Sequence, residues 1–195
     1  PYCHANAIYD LTGRVLAKLY TQSIPVHILT KANWESVLRD VLKFRYFGDH
    51  IRIGVSLTFS DDDDSLRWEP GASLPEERIE LLKGLHENKI PTWASIEPVI
   101  DPFQSIEMIR WSLPYVDYYK IGKLNHNSEI ENNVDWEEFL IMAVDAIKKS
   151  DEKKGYYVKK DLREAVPRML YSESEMDMDA MNAKPWPRPD DKGRS

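Results

Sequence analysis

The chain has 195 residues, 26 basic and 33 acidic side chains, and a formal net charge of −7. That length holds one domain with its own core, or a piece of a larger one, and the acidic balance argues against a nucleic-acid surface spread over the whole chain while leaving room for a local basic groove. No apolar run long enough for a transmembrane helix occurs and no signal-peptide pattern precedes the first element. A single cysteine, Cys3, excludes an internal disulfide framework and any self-contained thiolate metal site. A cytoplasmic protein without a membrane partner is expected, and a chain that opens on Pro1 reads as a fragment.

Taken in order, residues 5–20 carry Ile8, Leu11, Val15, Leu16 and Leu19 at helical spacing, and residues 25–31 (PVHILTK) read as a buried strand. Residues 33–44 repeat the helical pattern with Trp34, Val37, Leu38, Val41 and Leu42, and residues 51–59 (IRIGVSLTF) give a second strand. The run Asp61–Asp64 lacks the spacing of a calcium loop and reads as a solvated turn. Pro75 stands where a first-turn proline belongs, followed by Ile79, Leu82 and Leu85. Strands at 91–100, 118–123 and 156–159 then alternate with helical segments at 103–113 and 136–147, the latter with Asp135 as N-cap. The alternation predicts parallel strands joined by crossover helices. A complete eight-fold barrel takes roughly 250 residues, so the expected fold is a partial (β/α) barrel over residues 1–171, truncated at its N-terminal side. Residues 172–195, with three methionines among acids and then three prolines, read as a mostly disordered or loosely docked tail.

In parallel α/β folds, chemistry gathers at the carboxyl ends of the strands. Those ends here offer Thr30 and Lys31, Ser56 and Thr58, Glu97, and then Lys120, Lys123, Asn125 and His126. Any one of them is an ordinary loop residue; four polar strand ends in succession point to a shared site. Lys31 suits a Schiff-base nucleophile or a cation for a carboxylate or phosphate. Glu97, inside the run Ala94–Pro98, would be costly to bury without a partner, which favours a functional role. The five histidines form no His-x-His or His-Glu-x-x-His pair, so no zinc site is expected, and neither a dinucleotide fingerprint nor a Walker A loop is present. Cys3 reads as a small apolar residue, and the six tryptophans as core, Trp68 beside Glu69–Pro70–Gly71 excepted.

The segments HILTK (27–31), IRIGVSLTF (51–59), EPGASLPEER (69–78) and ASIEPVI (94–100), in this order and spacing, resemble radical S-adenosylmethionine enzymes of the spore photoproduct lyase-like group. The opening residues 1–19 look like the segment after the second barrel strand there, and YYKIGKLNH (118–126) with YYVKKDL (156–162) like its late strands. The resemblance implies a partial barrel holding S-adenosylmethionine and a [4Fe-4S] cluster, in which a 5′-deoxyadenosyl radical abstracts hydrogen from a nucleic-acid or other large substrate. It assigns Lys31, Ser56 and, more weakly, Glu97 to S-adenosylmethionine; Lys123, Asn125 and His126, from the strand-end reading, are expected on the substrate side. The three-cysteine cluster motif is absent, so the cluster ligands are expected in a missing N-terminal part of the same barrel and the present chain is expected to be inactive alone. A cluster-free (β/α) domain that binds a ligand or partner without catalysis is the competing reading, and an aldolase-like barrel using Lys31 or Lys120 has no supporting motif.

Overall fold

The computed structural model describes Tyr2 and residues 4–186. Its elements follow the order α1 (His4–Tyr9), α2 (Leu11–Thr21), β1 (Val26–Thr30), α3 (Trp34–Leu38), α4 (Val41–Phe47), β2 (Ile51–Ser56), α5 (Asp62–Trp68), α6 (Pro75–Glu87) and β3 (Thr92–Val99). They continue with α7 (Pro102–Ser112), β4 (Tyr118–Lys123), α8 (Ser128–Asn133), α9 (Trp136–Lys148), β5 (Gly155–Val158), α10 (Lys160–Ala165) and α11 (Glu173–Met176). All five strands lie in one parallel sheet, in chain order β1-β2-β3-β4-β5. This is the α/β architecture the alternation predicts, and an unreversed strand order is what a segment of a (β/α) barrel produces. Among the described residues β1 has a single neighbour, and Ile24 and Leu29 beside its other edge are exposed.

Strand alternation divides the sheet into two chemically different faces. On one, Ile28, Ile53, Val55, Ala94, Ile96, Tyr119, Ile121 and Val158 join a continuous core with the helices. Helix α9 shows how: Trp136, Phe139, Leu140, Ala143, Val144 and Ile147 are buried at helical spacing, and its N-cap Asp135 accepts from the Glu138 amide. Each large side chain so buried contributes about 1.5–3 kcal/mol. Helix α6 starts on Pro75 as the sequence indicates. The other, concave face is built in register layers. His27 lies opposite Arg52; Leu29, Gly54, Trp93, Tyr118 and Gly155 form the next layer; Ser56, Ser95, Lys120 and Tyr157 the one above. Trp93, Tyr118 and Tyr157 pack there as a second, separate apolar cluster.

Three expectations are corrected. The helix expected over 5–20 breaks at Asp10, which adopts a left-handed conformation (φ 48°). The cause is tertiary: the guanidinium of Arg39 donates to the carbonyls of Asn6 and Ala7 at the end of α1 and stands 3.6 Å from Asp10, while the Asn6 side chain accepts from the Thr12 amide. The helix expected over 33–44 breaks before the buried Asp40, whose carboxylate holds Lys43 at 2.5 Å and accepts from Tyr2 at 3.2 Å. The aspartate run is no turn: Asp61 caps α5 by accepting from the Asp64 amide, and Asp62–Asp64 fill the first turn, where carboxylates oppose the positive end of the helix dipole.

In the stretch expected to be mostly disordered or loosely docked, Glu175, Lys184 and Trp186 hold residues 172–186 against the sheet domain; the expectation for 187–195 falls outside the described residues. Glu175 accepts from Tyr156 and lies 3.3 Å from Lys148. Lys184 bonds Asp49 through both backbone and side chain, and Trp186 stacks on His50 with ring centroids 3.9 Å apart. Composition marks polarity; it does not reveal a tryptophan's partner 136 residues away.

The concave face depends on Gly54. Trp93 lies flat across it, its indole N–H donating to the Ile28 carbonyl at 3.2 Å, and a Cβ on Gly54 would come within 2.0 Å of the indole. Gly54→Ala is expected to lower the unfolding free energy by about 1–3 kcal/mol, the usual cost of overpacking, measured by urea denaturation. An unchanged midpoint and slope would mean that Trp93 does not cover this glycine.

Candidate functional site

At the carboxyl ends of β1 and β2 an open cleft of about 800 Å³ is lined by, among others, Lys31, Ser56, Arg39, Trp68 and Glu69. Its rear wall is a charged cluster around Glu69. Arg78, on α6, is 1% exposed and its Nη1 stands 2.6 Å from Glu69 Oε2, an ion pair bent away from hydrogen-bond geometry, so that this oxygen accepts no hydrogen bond. Arg78 also donates to the carbonyls of Ser73 (2.7 Å) and Ser56 (3.1 Å) and to the Ser65 hydroxyl (3.3 Å). The other Glu69 oxygen accepts from Thr58 at 3.2 Å and lies 3.1 Å from Lys31 Nζ. Two cations thus share one carboxylate. Arg78 is locked, whereas the Lys31 side chain is 41% exposed and free to turn to a ligand in the cleft.

Lys31 and Ser56 are therefore brought together, and Trp68 joins them in the lining. Glu97 is not placed with them: both its oxygens are taken by lysines of a second cluster, Oε1 by Lys159 and Oε2 by Lys120 at 3.4 Å. Glu97, expected beside Lys31 and Ser56, is absent from the lining of this cleft, because β3 carries it toward β4 and β5 rather than toward β1. Lys123 pairs with Glu131, and Asn125 donates to Asp161 at 2.9 Å, so both serve the loop after β4. His126 is exposed, with a left-handed φ of 68°. These three residues do not line the cleft.

Sequence reasoning passed over Glu69 as a site residue, and with it Arg39, Arg78 and Lys159. Arg78 did leave a signal: it falls on the buried stripe of α6 with Leu81, Leu82 and Leu85, where a charge requires a partner. On the concave face, the His27 ring stacks on Trp93 at 4.6 Å, and its pKa is lowered to about 4, first by burial against the indole and then by the positive charges of Arg52 and Lys120. No group of three metal-ligating side chains occurs among the described residues, and Cys3 lies outside them. No helix there is long and apolar enough to cross a membrane.

No family model matches the chain. It is 29% identical over 163 residues to the uncharacterised protein MJ0683 of Methanocaldococcus jannaschii, a match that takes in 73% of this chain and 61% of that protein. Among solved structures it is similar to SuiB of Streptococcus suis, in a crystal bound to S-adenosylmethionine (TM-score 0.57, 15% identity, 82% of this chain and 39% of that one). A second SuiB crystal gives a TM-score of 0.58 at 14% identity, covering 83% and 40%. The chain thus spans about three-fifths of the relative and two-fifths of the solved protein, and it shares the fold of the solved protein over that span.

Removing the Glu69 carboxylate would leave Arg78 buried and unpaired. Glu69→Ala is expected to destabilise the chain by about 3–5 kcal/mol, as when one partner of a buried ion pair is deleted, read as a shift of the urea midpoint; a loss below about 1 kcal/mol, the size of an exposed pair, would show that the pair is open to water.

Proposed function

We propose that the chain forms the S-adenosylmethionine-binding portion of a radical S-adenosylmethionine enzyme barrel. The observation that carries this reading is the convergence of Lys31 and Ser56, from two adjacent strand ends, on one cleft with the ring of Trp68 at its margin. The donor set suits the ligand. Lys31 Nζ supplies a mobile cation for the methionine carboxylate, and the Ser56 hydroxyl, with no hydrogen-bond partner among the described residues, supplies a donor. Glu69 holds Lys31 in readiness and leaves the neighbourhood net positive through Arg78, which favours a bound carboxylate. The shared fold with a protein crystallised with S-adenosylmethionine supports the same reading.

The residues present do not fit a [4Fe-4S] cluster. The chain holds one cysteine where three are needed, and no other trio of ligands occurs among the described residues. We therefore place the cluster ligands in the part of the protein that this chain does not span, consistent with its covering 61% of its relative. Hydrogen abstraction and a lyase-like outcome on nucleic acid are carried by the resemblance of segments 27–31, 51–59, 69–78 and 94–100 alone. The cytoplasm is the proposed setting, from the low cysteine content. The competing reading, a cluster-free domain that binds its ligand without catalysis, is favoured by the missing ligand trio.

Two measurements test these readings. Titrated with S-adenosylmethionine, Lys31→Ala is expected to lose about 1.5–3 kcal/mol of binding and Ser56→Ala about 1 kcal/mol, the ranges for charge-assisted and neutral hydrogen bonds. Unchanged affinity in folded Lys31→Ala would remove the ligand from this cleft. Anaerobic reconstitution with iron and sulfide is expected to give no stoichiometric cluster on this chain; a full cluster, by iron counting and absorbance, would overturn the placement of its ligands.

A further inference from the structure

The concave face carries charge of the opposite sign to the chain as a whole. The molecule is net −7, yet among the described residues the strand side chains that alternation puts on this face include Arg52, Lys120 and Lys159 against the carboxylate of Glu97, while Asp177 acts on Tyr118 from outside the sheet. Lys120 and Lys159 come from neighbouring strand ends and share that carboxylate, and the three side chains are only 21–29% exposed. One carboxylate balances one ammonium; the second is uncompensated in a partly desolvated place, where an excess charge has a high electrostatic cost until a counter-ion arrives. The lowered pKa of His27, held neutral partly by Arg52 and Lys120, shows the same positive field two layers away.

The arrangement is built into the backbone. Gly122 of β4 leaves the space through which Lys159 and Glu97 reach each other: a Cβ there would stand 2.7 Å from Lys159 Cδ and 3.1 Å from Glu97 Cδ. Ser95, directly opposite Lys120 in the register and 2% exposed, keeps a hydroxyl with no hydrogen-bond partner among the described residues. Tyr157 stands beside Lys120 in the same layer, and Trp93 and Tyr118 lie in the layer below, the three packing as one apolar cluster. An oxyanion seated here would meet two ammonium groups and a hydroxyl donor over an apolar floor, a donor set that matches a carboxylate or a phosphate.

We propose that Lys120, Lys159 and Ser95 form a subsite for an anionic group of the substrate, with Glu97 as the internal counter-ion that the substrate displaces. The substrate is then an acid, bearing a carboxylate or a phosphate, that lies on the concave face beside the S-adenosylmethionine cleft. The proposal rests on that face being the ligand face of the barrel, as in the reading above.

The test is an NMR titration of the chain with inorganic phosphate and, separately, with acetate, following the backbone amides of Gly122 and Lys159. Saturable shifts are expected with at least one anion, and the tighter one identifies the group. Lys120→Ala and Lys159→Ala should each weaken binding by about tenfold, the loss of one charge-assisted contact. Glu97→Gln should strengthen it, because the competing carboxylate is gone; a purely structural Glu97 would leave it unchanged or weaken it, and that result would overturn the proposal, as would the absence of saturable shifts in the folded wild type. Lys31→Ala separates the two sites. Loss of S-adenosylmethionine binding with anion binding kept supports both readings, whereas loss of anion binding in Lys31→Ala moves the anion to the first cleft and refutes the subsite.

Discussion

Glu69 is the residue on which the carboxyl end of this sheet depends. A single carboxylate joins Lys31 at the end of β1, Thr58 just beyond β2 and Arg78 on α6, and Arg78 in turn holds the carbonyls of Ser56 and Ser73 and the Ser65 hydroxyl. The end of β1 is thus tied at one point to the stretch that runs from β2 to α6. The cost of placing Arg78 in the interior is offset only while these partners are complete, so the geometry of the cleft and the stability of the fold around it are coupled. Lys31 is the exposed cation of the cluster, and with Glu69, Ser56 and Ser73 it lines the cleft.

The second constraint is the pleat. Because side chains alternate across a strand, one sheet serves two purposes: aliphatic residues face the helices, and glycines, serines, aromatics and cations face the other way. The glycines at 54 and 122 occupy places where another side chain must cross the strand. At Gly54 that side chain is Trp93, which forms the floor. At Gly122 it is the Lys159–Glu97 pair, which forms the charged level above. Both clusters of the concave side follow one pattern, a carboxylate shared by two cations. Each leaves a net positive charge near the strand ends, where anionic parts of ligands are held in parallel α/β folds.

The solved relatives extend well beyond this chain, which spans about two-fifths of their length. Their shared fold supports the partial barrel; at 14–15% identity it does not carry individual residues across. What individual residues do here is argued from their own contacts: Lys31 and Ser56 line one cleft, and Glu97 sits apart between two lysines.

The strand pattern was legible in the sequence because β-branched and aromatic runs bounded by Pro, Gly and Asp have few other solutions; all five strands and the helices α6, α7 and α9 stand within a few residues of their expected places. The strand-end rule also pointed to Lys31 and Ser56, which line one cleft. The sequence by itself therefore determined the five strands, the helices α6, α7 and α9, the parallel order and the end of the sheet where polar groups gather, since these follow from local periodicity and the short reach of crossover connections. Only the tertiary structure decided where the early helices break, because Arg39 and Asp40 act on residues some thirty positions away. It alone decided that residues 172–186 dock, that Glu69 and Arg78 form a buried pair, and that Glu97 belongs to Lys120 and Lys159 rather than to Lys31. Charges choose partners by distance in space, and one amino-acid sequence read along its length records only distance along the chain.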